Sequence, residues 1–158
     1  KGRSHTLRII REILFFEPVG RGTAPALALD YLNNVVTRRA VVFFISDFQA
    51  GDFSRELSVS GRRHDFIALH IQDEREENLP NVGIITLEDA ETGEQIEINT
   101  GDRTTRARFS ALAETQRAEL NRTLRRNHID AISLRTGENY LPALRSFFKQ
   151  RERRLAIR

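Results

Sequence analysis

Ala40-Val41-Val42-Phe43-Phe44-Ile45-Ser46-Asp47-Phe48 (AVVFFISDF) decides the fold of this chain. Ala40 to Ile45 is a continuous apolar run, rich in β-branched and aromatic residues, and it stops abruptly at Ser46-Asp47. An apolar run without polar alternation is the pattern of a strand buried on both faces. In an open parallel sheet, ligands bind just past the carboxyl ends of the strands. Asp47 is therefore the leading candidate for a working side chain. Upstream, Gly22-Thr23 precedes the helix that feeds this strand, so Thr23 is expected to face the same crevice.

Working outward, residues 5–16 carry a wide apolar face of helical period at Leu7, Ile10 and Leu14, with Ile9, Ile13 and Phe16 beside them. The stretch 17–22 (EPVGRG) breaks it. Thr23 is expected to cap a second helix with Pro25 in its first turn and Leu27, Tyr31, Leu32, Val35 and Val36 as its stripe. Arg38-Arg39 closes that helix before the strand at 40–46. Residues 48–61 read as a loop and short helix with Phe53 and Leu57 buried. DFIALHI (65–71) is the next strand, followed by a polar stretch, 72–81. Residues 82–100 read as a hairpin, with Ile96 and Ile98 toward the core. A long helix follows over 104–126, with Phe109, Leu112, Ala113, Leu120 and Leu124 as its stripe. Then come a strand over 128–134 and a last helix over 138–153, with Tyr140, Leu141, Leu144, Phe147 and Phe148 inward.

Helices alternating with short apolar strands indicate an α/β fold with a mainly parallel sheet, here interrupted by an inserted hairpin. The first strand looks central, yet nothing before it supplies a neighbour. The sheet is thus expected to lack its N-terminal strands, with an open edge at 40–46 that favours homodimerisation, strand swapping or poor solubility.

The composition is that of an ordinary soluble domain: 158 residues, 39% hydrophobic, 30% charged, net charge +3. With no cysteine, disulfides, zinc–thiolate sites and thiol catalysis are excluded. His5, His64, His70 and His128 are scattered without i, i+4 spacing, which argues against a zinc site. No run approaches a bilayer span, and residues 1–3 are no signal peptide, so no membrane contact and a cytoplasmic location are expected. A chain without methionine that starts at Lys1 reads as part of something longer. Arginine supplies nearly all the positive charge, clustering at Arg151, Arg153, Arg154 and Arg158. Such a cluster reads either as a nucleic-acid patch or as a solvated helix end whose cations suit the dipole.

KGRSHTLRIIREIL (1–14), GT (22–23) with ALALDYL (26–32), VVFFISDF (41–48), the long stretch 63–100 and ENYLPALRSFFKQRERR (138–154) together resemble the bacterial "domain of unknown function 58" family. That family is similar to the von Willebrand factor A domain, and the resemblance covers essentially the whole chain as the C-terminal part of such a domain. It implies a Rossmann-like sheet wrapped by helices and a metal-ion-dependent adhesion site at the carboxyl ends of the strands. Of the three pieces of that site, Thr23 matches the loop threonine and Asp47 the later aspartate. The first piece, Asp-x-Ser-x-Ser, is absent and is expected upstream of Lys1, so the site is incomplete here. The implied ion is Mg²⁺, a hard cation that prefers hydroxyl, carboxylate and water oxygens. The implied role is a non-catalytic binding and adaptor module associated with MoxR-type AAA+ ATPases.

Each site residue also has a plainer reading. Thr23 and Asp47 are equally helix caps, Ser46 bonds backbone, Asp73 and Glu74 form a solvated loop, and His70 is a core imidazole. A strand-end aspartate also serves phosphoryl transfer, which requires a cation against the phosphate. Neither Lys1 nor Lys149 is placed for that, and Asp47 is not followed by the Asp-x-Asp-x-Thr pattern of phosphatases. No Gly-x-Ser-x-Gly elbow or P-loop is present. Phosphoryl transfer at Asp47 and arginine-mediated nucleic-acid binding stand as the alternatives to the adaptor role.

Overall fold

In a computed structural model, residues 2–17, 22–88 and 92–156 are described. In chain order the elements are α1 (Arg3–Phe15), α2 (Pro25–Val35), β1 (Val41–Ser46), α3 (Ser54–Arg63), β2 (Asp65–Gln72) and α4 (Glu74–Glu77). Then come β3 (Ile84–Glu88), β4 (Gln95–Asn99), α5 (Arg103–Arg126), β5 (Asp130–Arg135) and α6 (Leu141–Ala156). Strands β1, β2 and β5 form a parallel sheet in the order β1-β2-β5, with Val41 opposite Asp65 and Ile67 opposite Asp130. The expected mixed α/β architecture is present. β3 and β4 form a separate antiparallel pair, Ile85 opposite Ile98. The hairpin tip at 89–91 lies outside the described residues.

The two faces of the parallel sheet are covered unequally. On one face, Leu29 of α2, Phe53 and Leu57 beside and in α3, and Leu124 of α5 close over Phe66 and Ala68, with Val42 and Phe44 packed alongside. Phe53 and Leu57 are the buried pair read from the sequence. On the other face, Ala143, Leu144 and Phe147 of α6 cover Ile67, Leu69 and Ile132. α6 lies over β2 and β5 and does not blanket β1. β1 is therefore buried on one face only, against expectation: Val41 is 59%, Phe43 49% and Ile45 65% exposed. Phe43 meets α6 edge-on at Phe148, centroids 6.2 Å apart.

Other details depart from the sequence reading for local reasons. α2 starts at Pro25, so its cap position falls on Ala24, which makes no side-chain cap. Thr23 lies one residue too early to cap it. α1 forms but buries none of its residues. Ile98 is half-buried while Ile96 remains 57% exposed, because the hairpin stands apart from the main sheet. On α5, Leu124 and Leu120 face the core and Leu112 is exposed. Tyr140, Leu141 and Phe148 flank the buried side of α6 and stay exposed. His128 takes a left-handed φ of 55° just past the end of α5, so β5 begins only at Asp130.

Arg151 of α6 forms ion pairs with Asp65 and, at 3.5 Å, with Asp130, while Arg154 reaches Asp130 at 3.2 Å. These aspartates are the first residues of β2 and β5. Two members of the C-terminal arginine cluster thus fasten the helix to the sheet rather than standing free in solvent. Arg158 lies outside the described residues. No helix among the described residues is long and apolar enough to cross a membrane.

Candidate functional site at the carboxyl ends of the strands

At the end of β1 the chain turns through two overlapping side-chain-to-backbone hydrogen bonds. The Phe48 N–H donates to Ser46 Oγ at 3.0 Å, and the Gln49 N–H donates to Asp47 Oδ1 at 3.1 Å. Ser46 and Asp47 suit this position because their short polar side chains can replace backbone partners as a strand ends. Phe48 itself has a φ of 60°, a left-handed conformation that costs a non-glycine residue free energy. Its ring is held between Phe44 (5.6 Å), Phe53 (6.1 Å) and His70 (5.5 Å, edge-on). This aromatic cluster fixes the turn that carries Asp47.

The turn forms one wall of a cavity of about 390 Å³, whose lining includes Asp47, Phe48, Asp52, His70, Glu77 and Arg117. Asp52 accepts from the Ser54 N–H (3.0 Å) and hydroxyl (2.5 Å), which hold its carboxyl below its ordinary value. At the end of β2, burial pushes the His70 imidazole below its ordinary value, with the Asp47 backbone and the Asp47 and Glu77 carboxylates opposing. Asp73 accepts from Thr136 Oγ1 (2.5 Å) and from the Arg75 N–H (2.9 Å), capping α4. It remains solvent-accessible, as expected, and also joins the ends of β2 and β5. Glu77, on the single turn of α4, receives Arg117 of α5 at 3.0 Å and Arg135 of β5 at 2.9 Å.

Of the residues singled out from sequence, Asp47 lies in the cavity wall and is solvent-exposed. Thr23 is exposed before α2, is not in that wall, and its hydroxyl bonds no described residue. His70, read as a core imidazole, is half-buried and lines the cavity. Glu77, Arg117 and Arg135 were missed. Only the polar run after β2 hinted at Glu77, and nothing local pointed to its arginines.

The donors do not by themselves fit a Mg²⁺ ion. Octahedral coordination takes about six oxygens, and Asp47 and Thr23 offer two. Among the described residues no group of three or more His, Asp or Glu side chains is placed to share an ion. The cavity's chemistry lies instead in its carboxylates. Asp47 and Asp52 accept from neighbouring N–H and hydroxyl groups and carry no ion pair among the described residues, whereas Glu77 is neutralised by its two arginines.

The sequence profile of a family described as "Protein of unknown function DUF58" matches residues 1–119. The chain is 34% identical over 137 residues to the uncharacterized protein MAV169 of Mycobacterium avium, covering 86% of this chain and 80% of that protein. It is 33% identical over 155 residues to the uncharacterized protein Rv1480 of Mycobacterium tuberculosis (strain ATCC 25618 / H37Rv), covering 96% of this chain. Mb1516 of Mycobacterium bovis matches to the same extent. The chain spans about half (49%) of the length of these last two relatives. No solved structure matches it significantly. By the extent of both kinds of match, the chain belongs to the DUF58 family of proteins of unknown function.

Proposed function

We propose that this chain is part of a von Willebrand A-like domain acting in the cytoplasm as a non-catalytic protein-binding adaptor, with a MoxR-type AAA+ ATPase as its partner. The observation that carries this reading is the crevice at the strand ends. It is open, and it presents Asp47 and Asp52, which pair with no cation among the described residues, beside a turn fixed by packed aromatic rings. A preorganised carboxylate beside apolar rings suits a basic or metal-bearing surface of another protein, because the ordering cost is already met within the fold. A cation shared between Asp47 and Thr23 would need further oxygens, because the two side chains supply only two ligands.

The same geometry weighs against the alternatives. Arg117 and Arg135 are both tied to Glu77, so neither stands free to offset a phosphate on Asp47. Arg151 and Arg154 are occupied by Asp65 and Asp130, which thins the basic cluster a nucleic acid would use. The test is titration calorimetry of the chain against a MoxR-type ATPase of the same organism, with and without Mg²⁺. Binding that Asp47→Ala abolishes supports the reading. Binding indifferent to Asp47→Ala, or phosphorylation of Asp47 by a small phosphodonor, would overturn it.

A further inference from the structure

The cavity at the strand ends is strongly acidic. Asp47, Asp52, Glu76, Glu77 and Glu119 line it, against Arg117 and the half-buried His70. Arg117 is already engaged by Glu77 at 3.0 Å, and Asp47, Asp52, Glu76 and Glu119 enter no ion pair among the described residues. Carboxylates alone would make only a solvated rim. Gln72, the last residue of β2, adds an independent sign of a ligand. Alternation along β2 puts Phe66 and Ala68 in the core cluster with Leu57 of α3 and Leu124 of α5, and His70 and Gln72 follow on that same face. Gln72 lines the cavity and is only 8% exposed. Its backbone carbonyl accepts from the Thr136 N–H at 2.9 Å, yet its side-chain amide makes no hydrogen bond among the described residues. A buried amide without a partner costs free energy, and native folds leave few of them. Here the amide stands where a ligand in the cavity would meet it.

We propose that this cavity receives the guanidinium of a single arginine side chain presented by the protein partner, an inference that rests on the adaptor reading above. The ligand must be cationic to match the unpaired carboxylates. It must also carry several donors, to reach those carboxylates and the Gln72 side-chain carbonyl at once. A guanidinium offers its N–H donors in a rigid planar fork, whereas an ammonium is a compact, strongly hydrated point charge. Phe48, Phe53 and Leu120 supply apolar lining against which the methylenes of an arginine can lie. The volume, about 390 Å³, is at the small end of ligand sites and suits one long side chain rather than a folded segment. Burial holds His70 toward its neutral form, so it adds no competing charge.

The experiment is an NMR titration of the whole isotope-labelled chain with capped peptides in which glycine flanks arginine, lysine or citrulline. Citrulline keeps the shape of arginine and lacks its charge. The arginine peptide is expected to shift the Gln72 side-chain amide and the backbone amides of Asp47 and Asp52, and to bind more tightly than the other two. Gln72→Leu, close to glutamine in volume, should weaken it about tenfold. Glu119→Gln, on the exposed surface of α5, should weaken it about two- to threefold with an unchanged far-UV circular dichroism spectrum. An arginine peptide that binds no better than the citrulline or lysine peptide overturns the proposal, as does full affinity in both variants. Agmatine, a free guanidine, binding well above the peptide would assign the cavity to a small metabolite and overturn the docking of a partner's side chain. Failure of the adaptor reading is distinguishable. A chain that takes the arginine peptide but not the ATPase keeps the pocket and loses that partner. One that binds the ATPase through Asp47 but not the arginine peptide keeps the partner and loses the pocket.

Discussion

Replacing Phe48 by alanine and, separately, by glycine tests how the turn bearing Asp47 is held. The half-buried ring contacts Phe44, Phe53 and His70. Truncating a fully buried phenylalanine costs about 3–5 kcal/mol, so a ring buried by half should cost about 2 kcal/mol. The backbone adds a second contribution of opposite consequence for the two variants. At a φ of 60°, alanine retains the left-handed penalty of about 1–2 kcal/mol, which glycine escapes. Glycine gives back about 0.5–1 kcal/mol through its freer unfolded chain. The glycine variant should therefore be more stable than the alanine variant by about 0.5–1 kcal/mol. Urea unfolding followed by far-UV circular dichroism would show this as a midpoint higher by roughly 0.3–0.5 M. An alanine variant as stable as the glycine variant, or more so, would refute the claim that aromatic packing holds Phe48 in a strained turn.

Three other outcomes follow from the same structure. Asp102 accepts from the N–H groups of Thr104 and Thr105 at the start of α5, so Asp102→Ala should lower the midpoint of denaturant unfolding, and Asp102→Asn should restore most of it. Arg151→Met leaves Asp65 and Asp130, at the amino-terminal ends of β2 and β5, without the guanidinium they share. It should cost about 1–3 kcal/mol, whereas Arg153→Ala should stay within about 0.5 kcal/mol of wild type. Burial lowers the His70 pKa against the pull of Asp47 and Glu77. The folded state thus disfavours the imidazolium, and the His70 contribution to stability is full above about pH 6.5 and lost as pH falls toward the folded value. Thermal unfolding between pH 7 and 5 should show this slope in the wild type and a shallower one in His70→Gln.

What the sequence reveals here is what local spacing controls. Phe53 and Leu57 stand one helical turn apart, and both are buried as their spacing implies. The strand at 41–46 and its abrupt polar end are equally plain. The burial of β1 was misread because it depends on how far α6 reaches across the sheet, a tertiary fact that VVFFIS does not encode. The Thr23 cap failed on a single residue, since Pro25 starts α2 and leaves the cap position to Ala24. In the candidate site, Asp47 was visible as the polar residue ending an apolar strand. The Glu77 hub was not, because its arginines lie 40 and 58 residues away in sequence. For the same reason Arg151 looked like part of a solvated cluster, although its partner Asp65 is 86 residues distant.

Hydrogen exchange of the chain, alone and with the MoxR-type ATPase, tests the central claim most directly. If the crevice is the docking surface, amides of residues 46–54 and 70–77 gain protection on binding, and Asp47→Ala removes that gain. Protection confined to α6 or to the hairpin, with residues 46–54 unchanged, would contradict the account.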